Sequence, residues 1–122
     1  MKKILIVDDE KDIVELLEMG LRRHGFEVIV AYDGEEALMR IKEGKPDFVV
    51  LDIMLPKVSG LEVLRQVKTN TPEIFVVLAT AKSEVEDIKD GYSFKADYYV
   101  TKPYAVDEIV KGIHLLSSLG AE

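Results

Sequence analysis

An α/β domain on a doubly wound, five-stranded parallel sheet is the fold class that this 122-residue sequence predicts. Ile4-Leu5-Ile6-Val7, Phe48-Val49-Val50-Leu51 and Tyr98-Tyr99-Val100-Thr101 are near-continuous apolar or β-branched runs, as expected of strands covered on both faces. Between such runs lie stretches with apolar residues three and four apart, the spacing of helices that cover a sheet. A third observation concerns the ends of the runs. The first leads into Asp8-Asp9-Glu10, the second into Asp52 and the third into Lys102-Pro103. In a parallel sheet all carboxyl ends share one edge, where ligands bind. Carboxylates gathered there repel one another unless some are protonated or a cation lies among them. The constellation therefore points to a divalent metal and phosphate chemistry.

The elements follow in order. Strand 1 is expected at about Lys3–Val7. A helix then begins near Asp12, where Asp12 and Glu15 have capping-box spacing, with Ile13, Leu16, Leu17, Gly20 and Leu21 on its inner face. Arg22, Arg23 and His24 suit the negative end of its dipole, and Gly25 supplies a left-handed stop. Strand 2 is about Glu27–Ala31, and Asp33-Gly34 turns into a helix through Ala37, Leu38 and Ile41 that ends at Gly44-Lys45-Pro46. Strand 3 is Asp47–Leu51. After a loop with Pro56 and Gly60 comes a helix using Leu61, Leu64 and Val67, which stops near Asn70-Thr71-Pro72. Strand 4 is Ile74–Ala79. Ser83 is expected to cap a short fourth helix with Val85 and Ile88 inward and Gly91 weakening its end. Strand 5 is Tyr98–Thr101, and the fifth helix follows Pro103 with Val106, Ile109, Val110, Ile113 and Leu116 on one face.

Composition narrows the function. The length suits a single domain, 1–122, with a core that needs no staples. With no cysteine, disulfides, thiolate catalysis and cysteine-based zinc sites are excluded. Four apolar residues after Met1-Lys2-Lys3 are too few for a signal-peptide core, and no stretch is long enough to span a bilayer, so a cytoplasmic protein without a membrane partner is expected. A net charge of −7 argues against direct nucleic-acid binding, which needs a basic face. His24 and His114 are isolated on helices and suit helix-end charge or surface exposure better than phosphotransfer.

In their order at the strand ends, these residues resemble a response-regulator receiver domain, the phosphoacceptor unit of bacterial two-component signalling, and the resemblance covers nearly the whole chain. Asp8-Asp9 is similar to the family's acidic pair. Asp52, within Leu51-Asp52-Ile53-Met54-Leu55-Pro56, resembles the phosphorylated aspartate, with its loop closing at Gly60. Thr80 resembles the switch hydroxyl, Tyr99 the switch aromatic, and Lys102-Pro103 the lysine and the cis-peptide proline that follows it. The resemblance implies a flavodoxin-like (βα)5 receiver fold with strand order 2-1-3-4-5. It implies Mg²⁺ held by Asp9, Asp52 and the Met54 backbone carbonyl, with Asp8 reaching it through water. A sensor histidine kinase or phosphotransfer protein would donate the phosphoryl group to Asp52, with Lys102 and Thr80 stabilising the transferred charge. Such a domain is a signalling switch rather than an enzyme, although it promotes its own phosphorylation and dephosphorylation. Its output would pass through the face of the fourth helix, fifth strand and fifth helix, to an effector or a second copy. Tyr92, Phe94, Tyr98 and Tyr104 lie in or near that face. Met54 and Lys82 would flank the path of the hydrolytic water.

The chain departs from the family's usual residues at Ser59, where aspartate commonly precedes the loop glycine, at Lys95, where glycine is common, and at Tyr98, where aspartate is common. Three other function classes compete. A flavin carrier of this topology would want a hydroxyl- and glycine-rich loop after strand 1, where this chain has Asp8-Asp9-Glu10. An aspartyl phosphatase would want a second acid two residues after its nucleophile, where this chain has Met54. An adaptor with a dead site would not keep the complete residue set. A receiver forming the amino-terminal part of a longer regulator, with a DNA-binding or enzymatic output, is equally compatible with these residues.

Overall fold

The computed structural model describes residues 2–81 and 96–120, so the expected fourth helix, Lys82, Tyr92, Phe94 and Lys95 lie outside the described residues. The chain runs β1 (Lys3–Val7), α1 (Lys11–Arg23), β2 (Glu27–Ala31), α2 (Gly34–Gly44), β3 (Phe48–Asp52), α3 (Gly60–Asn70), β4 (Phe75–Ala81), β5 (Tyr98–Lys102) and a C-terminal helix (Val106–Gly120). The strands form one sheet in the order β2-β1-β3-β4-β5, with every pairing parallel. This is the expected architecture. None of the described helices is long and apolar enough to cross a membrane.

Each buried strand feeds both faces of the sheet because its side chains alternate with period two. Ile4, Ile6, Val50, Val77 and Val100 pack under Val14, Leu17 and Leu21 of α1 and under Ile109, Ile113 and Leu116 of the C-terminal helix. Leu5, Val7, Val49, Leu51, Val76 and Leu78 pack under Ala37 and Ile41 of α2 and under Val63, Leu64 and Val67 of α3. Each fully buried aliphatic side chain contributes about 1.5–3 kcal/mol relative to exposure. Leu17→Ala, which opens a cavity in the first layer, would cost about 3 kcal/mol.

Helix ends follow local chemistry with two adjustments. In α1 the buried stripe is Val14, Leu17 and Leu21, while Leu16 is 66% exposed. The expected start at Asp12 was one residue late: Glu10 is the cap, and it makes no side-chain cap bond. The turn before the helix carries a bond from Asp8 instead, whose Oδ1 accepts the Glu10 N–H at 2.9 Å. At the other end Gly25 has φ +87, and its N–H and that of Phe26 donate to the Arg22 and Leu21 carbonyls. This is the paired closure that a left-handed glycine permits. In α2 the left-handed residue is Lys45 (φ 45) rather than Gly44.

Candidate functional site

The parity of the strands places the charges. Val7 and Leu51 face the α2–α3 layer, while Ile6, Val50 and Val100 face the other. Alternation therefore aims Asp8, Asp52 and Lys102, each one or two residues further on, towards the same side of the carboxyl edge. There the Lys102 Nζ donates to Asp52 Oδ2 at 2.9 Å and to Asp8 Oδ2 at 3.2 Å, spanning 50 and 94 residues of sequence. Glu10 Oε1 lies 3.6 Å from the same nitrogen. Asp8 and Asp52 are buried, while Asp9 is exposed. The Met54 N–H donates to Asp52 Oδ1 at 3.1 Å, so both carboxylate oxygens of Asp52 accept hydrogen bonds. The Lys102–Pro103 peptide is cis.

Burial pushes the Asp52 carboxyl up and the charge of Asp8 adds to this, against the lowering bonds from Lys102 and the Met54 amide. Burial also opposes the charge of Lys102, but Asp52 and Asp8 outweigh it and hold the ammonium above the ordinary lysine range. The two directions are compatible because one cation cannot satisfy two buried anions. Tyr104 is pushed up to about 12, first by burial and then by the charge of Asp8, which places this phenol beside the pocket.

Asp8, Asp9 and Glu10 each offer a carboxylate oxygen within 4.8 Å of the others. With Asp52, they set four carboxylates against one ammonium, a formal charge of −3. The donors are hard oxygens, and Mg²⁺ characteristically takes one or two carboxylates and retains water. The residues present fit that ion.

Thr80 is fully buried at the end of β4, one residue beyond Ala79, the register partner of Asp52. Its own partner is Thr101, and Leu78 pairs with Tyr99. Thr80 and Tyr99 thus share one face of the sheet, two registers apart. The half-buried Tyr99 packs against the α2–α3 layer, and its hydroxyl accepts the Ala96 N–H at 3.2 Å. Ser59, in place of the more usual aspartate, caps α3 by accepting the Glu62 N–H at 3.2 Å.

Sequence reasoning left two neighbours of this pocket unassigned. Glu10 reaches Lys102, and its place beside the acidic pair was the available signal. Tyr104, placed by sequence in or near the output face, also packs against the layer under α1 and the C-terminal helix, next to the carboxylates. A groove of about 1060 Å³ opens at the opposite edge of the sheet, among Lys2, Lys42, Pro46, Phe48 and Ile74, and none of the predicted site residues lines it.

Comparisons with known proteins agree with this geometry. Residues 4–114 match the family described as the response regulator receiver domain. The chain is 46% identical over 123 residues to the alkaline phosphatase synthesis transcriptional regulatory protein PhoP of Bacillus subtilis (strain 168), covering 98% of this chain and 51% of that protein. It is 42% identical over 113 residues to the probable transcriptional regulatory protein TcrX of Mycobacterium tuberculosis (strain ATCC 25618 / H37Rv), covering 93% and 48%. The chain therefore spans about half the length of these relatives. Among solved structures, the receiver domain of the Francisella response regulator 1452 aligns with a TM-score of 0.89 at 28% identity, covering 98% of this chain and 99% of that one.

Proposed function

This chain belongs to the response regulator receiver domain family, a unit of two-component signalling, and on that premise we propose that Asp52 is its phosphoacceptor. The observation that carries this reading is the setting of Asp52: a buried carboxylate at the carboxyl end of β3, oriented by Lys102 at 2.9 Å and the Met54 amide at 3.1 Å. A carboxylate oxygen attacks the phosphorus of a kinase phosphohistidine in line. The new P–O bond forms as the P–N bond breaks, and the imidazole leaves with its electron pair. Lys102 lies where it can balance charge on the equatorial oxygens, and the Thr80 hydroxyl donates to one of them. Asp9, Asp52 and the Met54 carbonyl would hold Mg²⁺, with Asp8 close enough to act through water, and the bound ion would supply positive charge against the phosphoryl oxygens.

The aspartyl phosphate draws the Thr80 hydroxyl inward, and Tyr99, on the same face, turns into the space released. A switch of this kind shifts an existing equilibrium by the difference in contacts between two states. The output surface lies around β5 and the C-terminal helix, where Tyr98 packs across Gly112. A sensor histidine kinase or phosphotransfer protein is the donor, in the cytoplasm, and an effector protein or a second copy is the recipient. Because both named relatives are transcriptional regulators about twice as long, an output domain following this one is the favoured setting. With its charge of −7, this domain would not itself contact nucleic acid.

Incubation with acetyl phosphate and Mg²⁺ should add one phosphate to the intact mass, and Asp52→Asn should abolish the adduct. An adduct that persists in the variant and maps elsewhere would overturn the assignment.

A further inference from the structure

The loop from β3 to α3 carries Met54, and its far side rests on the start of α2. A Cβ on Gly34 would overlap the Val58 carbonyl oxygen and lie 2.8 Å from the Val58 Cβ, so the two backbones touch. The Gly34 N–H donates to the Pro56 carbonyl at 3.3 Å. Asp33 caps α2 through Oδ1, which accepts the Glu36 N–H at 2.7 Å, and its Oδ2 lies 3.6 Å from the Lys57 Nζ. Lys57 has φ 68, a left-handed conformation that persists for a residue with a side chain only where its surroundings impose it. At its other end the loop is equally constrained. The Gly60 N–H donates to the Ile53 carbonyl at 3.0 Å, and a Cβ on Gly60 would overlap the Asp52 carbonyl oxygen.

We propose that Gly34 and Asp33 are positioning residues for the phosphoacceptor pocket: through Pro56, Lys57 and Val58 they hold the β3–α3 loop so that the Met54 carbonyl stays in register with the Asp52 carboxylate. Neither residue touches the phosphate or the metal. The inference rests on the reading of Asp52 and Met54 given above and adds a second requirement to it. The pocket needs a glycine on a different strand–helix corner, because no side chain fits between α2 and the Val58 carbonyl. The competing role is purely structural, with the corner contributing to stability and leaving the pocket unaffected. The two roles differ in what they do to the folded protein. A structural role lowers the melting temperature, whereas a positioning role changes metal affinity at temperatures where the protein is fully folded.

Isothermal titration of the metal-free protein with Mg²⁺ separates them, together with amide spectra of the folded state. Gly34→Ala should weaken Mg²⁺ binding about tenfold, the low end of what outer-shell partners are worth. It should also shift the amides of residues 53–58. Phosphate uptake from acetyl phosphate should fall at low Mg²⁺ and recover at saturating Mg²⁺. Asp33→Asn keeps the helix cap and removes the charge facing Lys57; it should weaken binding about twofold, in keeping with an exposed ion pair. Wild-type Mg²⁺ affinity in both variants, with a lowered melting temperature in Gly34→Ala, would overturn the proposal. If Gly34→Ala does not fold, Asp33→Asn decides alone, and unchanged affinity there overturns it. A wild-type protein that takes up neither Mg²⁺ nor phosphate would overturn the parent reading as well, and is distinguishable because it needs no variant.

Discussion

Asp52 meets the Lys102 ammonium at 2.9 Å, and Glu62, on the surface of α3, meets the Arg65 guanidinium at 3.0 Å. Arg65 grips Glu62 through both Nε and Nη2, whereas Lys102 gives Asp52 a single bond, and the consequences for the two carboxylates are opposite. Glu62 also accepts from Gln66 at 2.9 Å, and its hydrogen bonds, led by that from Arg65, hold it down at about 2, from an ordinary 4.5. Asp52 is pushed up from 3.8, because burial costs its charge more than Lys102 and the Met54 amide return. Water solvates Glu62 in either state, so its pair is a small addition. In the pocket the protein must replace that water, and two carboxylates compete for one cation. The pocket is therefore electrostatically unfinished, and the surface pair is complete.

The comparison breaks most readily at Lys102. Lys102→Met keeps the bulk of the side chain and leaves Asp8 and Asp52 facing each other unpaired. It should cost about 3 kcal/mol in urea unfolding at neutral pH, as for a buried pair that loses one partner. The cost should shrink in acid, where both carboxylates are protonated. A loss no larger than that of Arg65→Met would show that burial does not separate the two sites.

Asp52→Asn sharpens the same contrast with a change of sign. A carboxyl whose folded pKa is raised binds its proton more tightly in the folded state. Its contribution is therefore favourable at low pH and is lost as pH rises above 3.8 through the raised value. Without metal, the variant should match the wild type in acid and become the more stable of the two as pH rises towards neutrality. Thermal unfolding at a series of pH values reads this directly, and a variant less stable at neutral pH would contradict it.

Glu62→Gln should show the smallest effect and the opposite pH trend. The folded value is depressed to about 2, so the stabilisation is present above 4.5 and fades as pH falls between those values. Wild type and variant should differ slightly at neutral pH and converge in strong acid. A pH-independent difference would assign the effect to helix packing instead of charge.

Much of this was legible in the sequence because it is local. The strands fall within one or two residues of their expected places, since continuous apolar runs bounded by charge have few other uses. The meeting of Asp8, Asp52 and Lys102 is expected from position alone, because they are the first charges after such runs. The α1 stripe differs from the expectation at Leu16 and Val14 because consecutive apolar residues fit two helical registers, and packing against the sheet selects between them. Glu10 was passed over because a third acid beside two others reads as solvated charge. Gly34 looked like an ordinary turn glycine, and nothing near it in sequence announces that Val58 lies against it.

By itself, the sequence determined which of the described segments are strands and helices and which residues end the strands, because both depend on patterns a few residues long. The strand order came with the family resemblance, since right-handed crossovers leave several orders open. Only the tertiary structure decided that Asp8 is buried while Asp9 is exposed, that one ammonium bridges positions 8 and 52, and that the start of α2 presses on the loop after β3. Those outcomes depend on register between strands far apart in the chain, and a one-residue slip in any strand would turn its side chains to the other face.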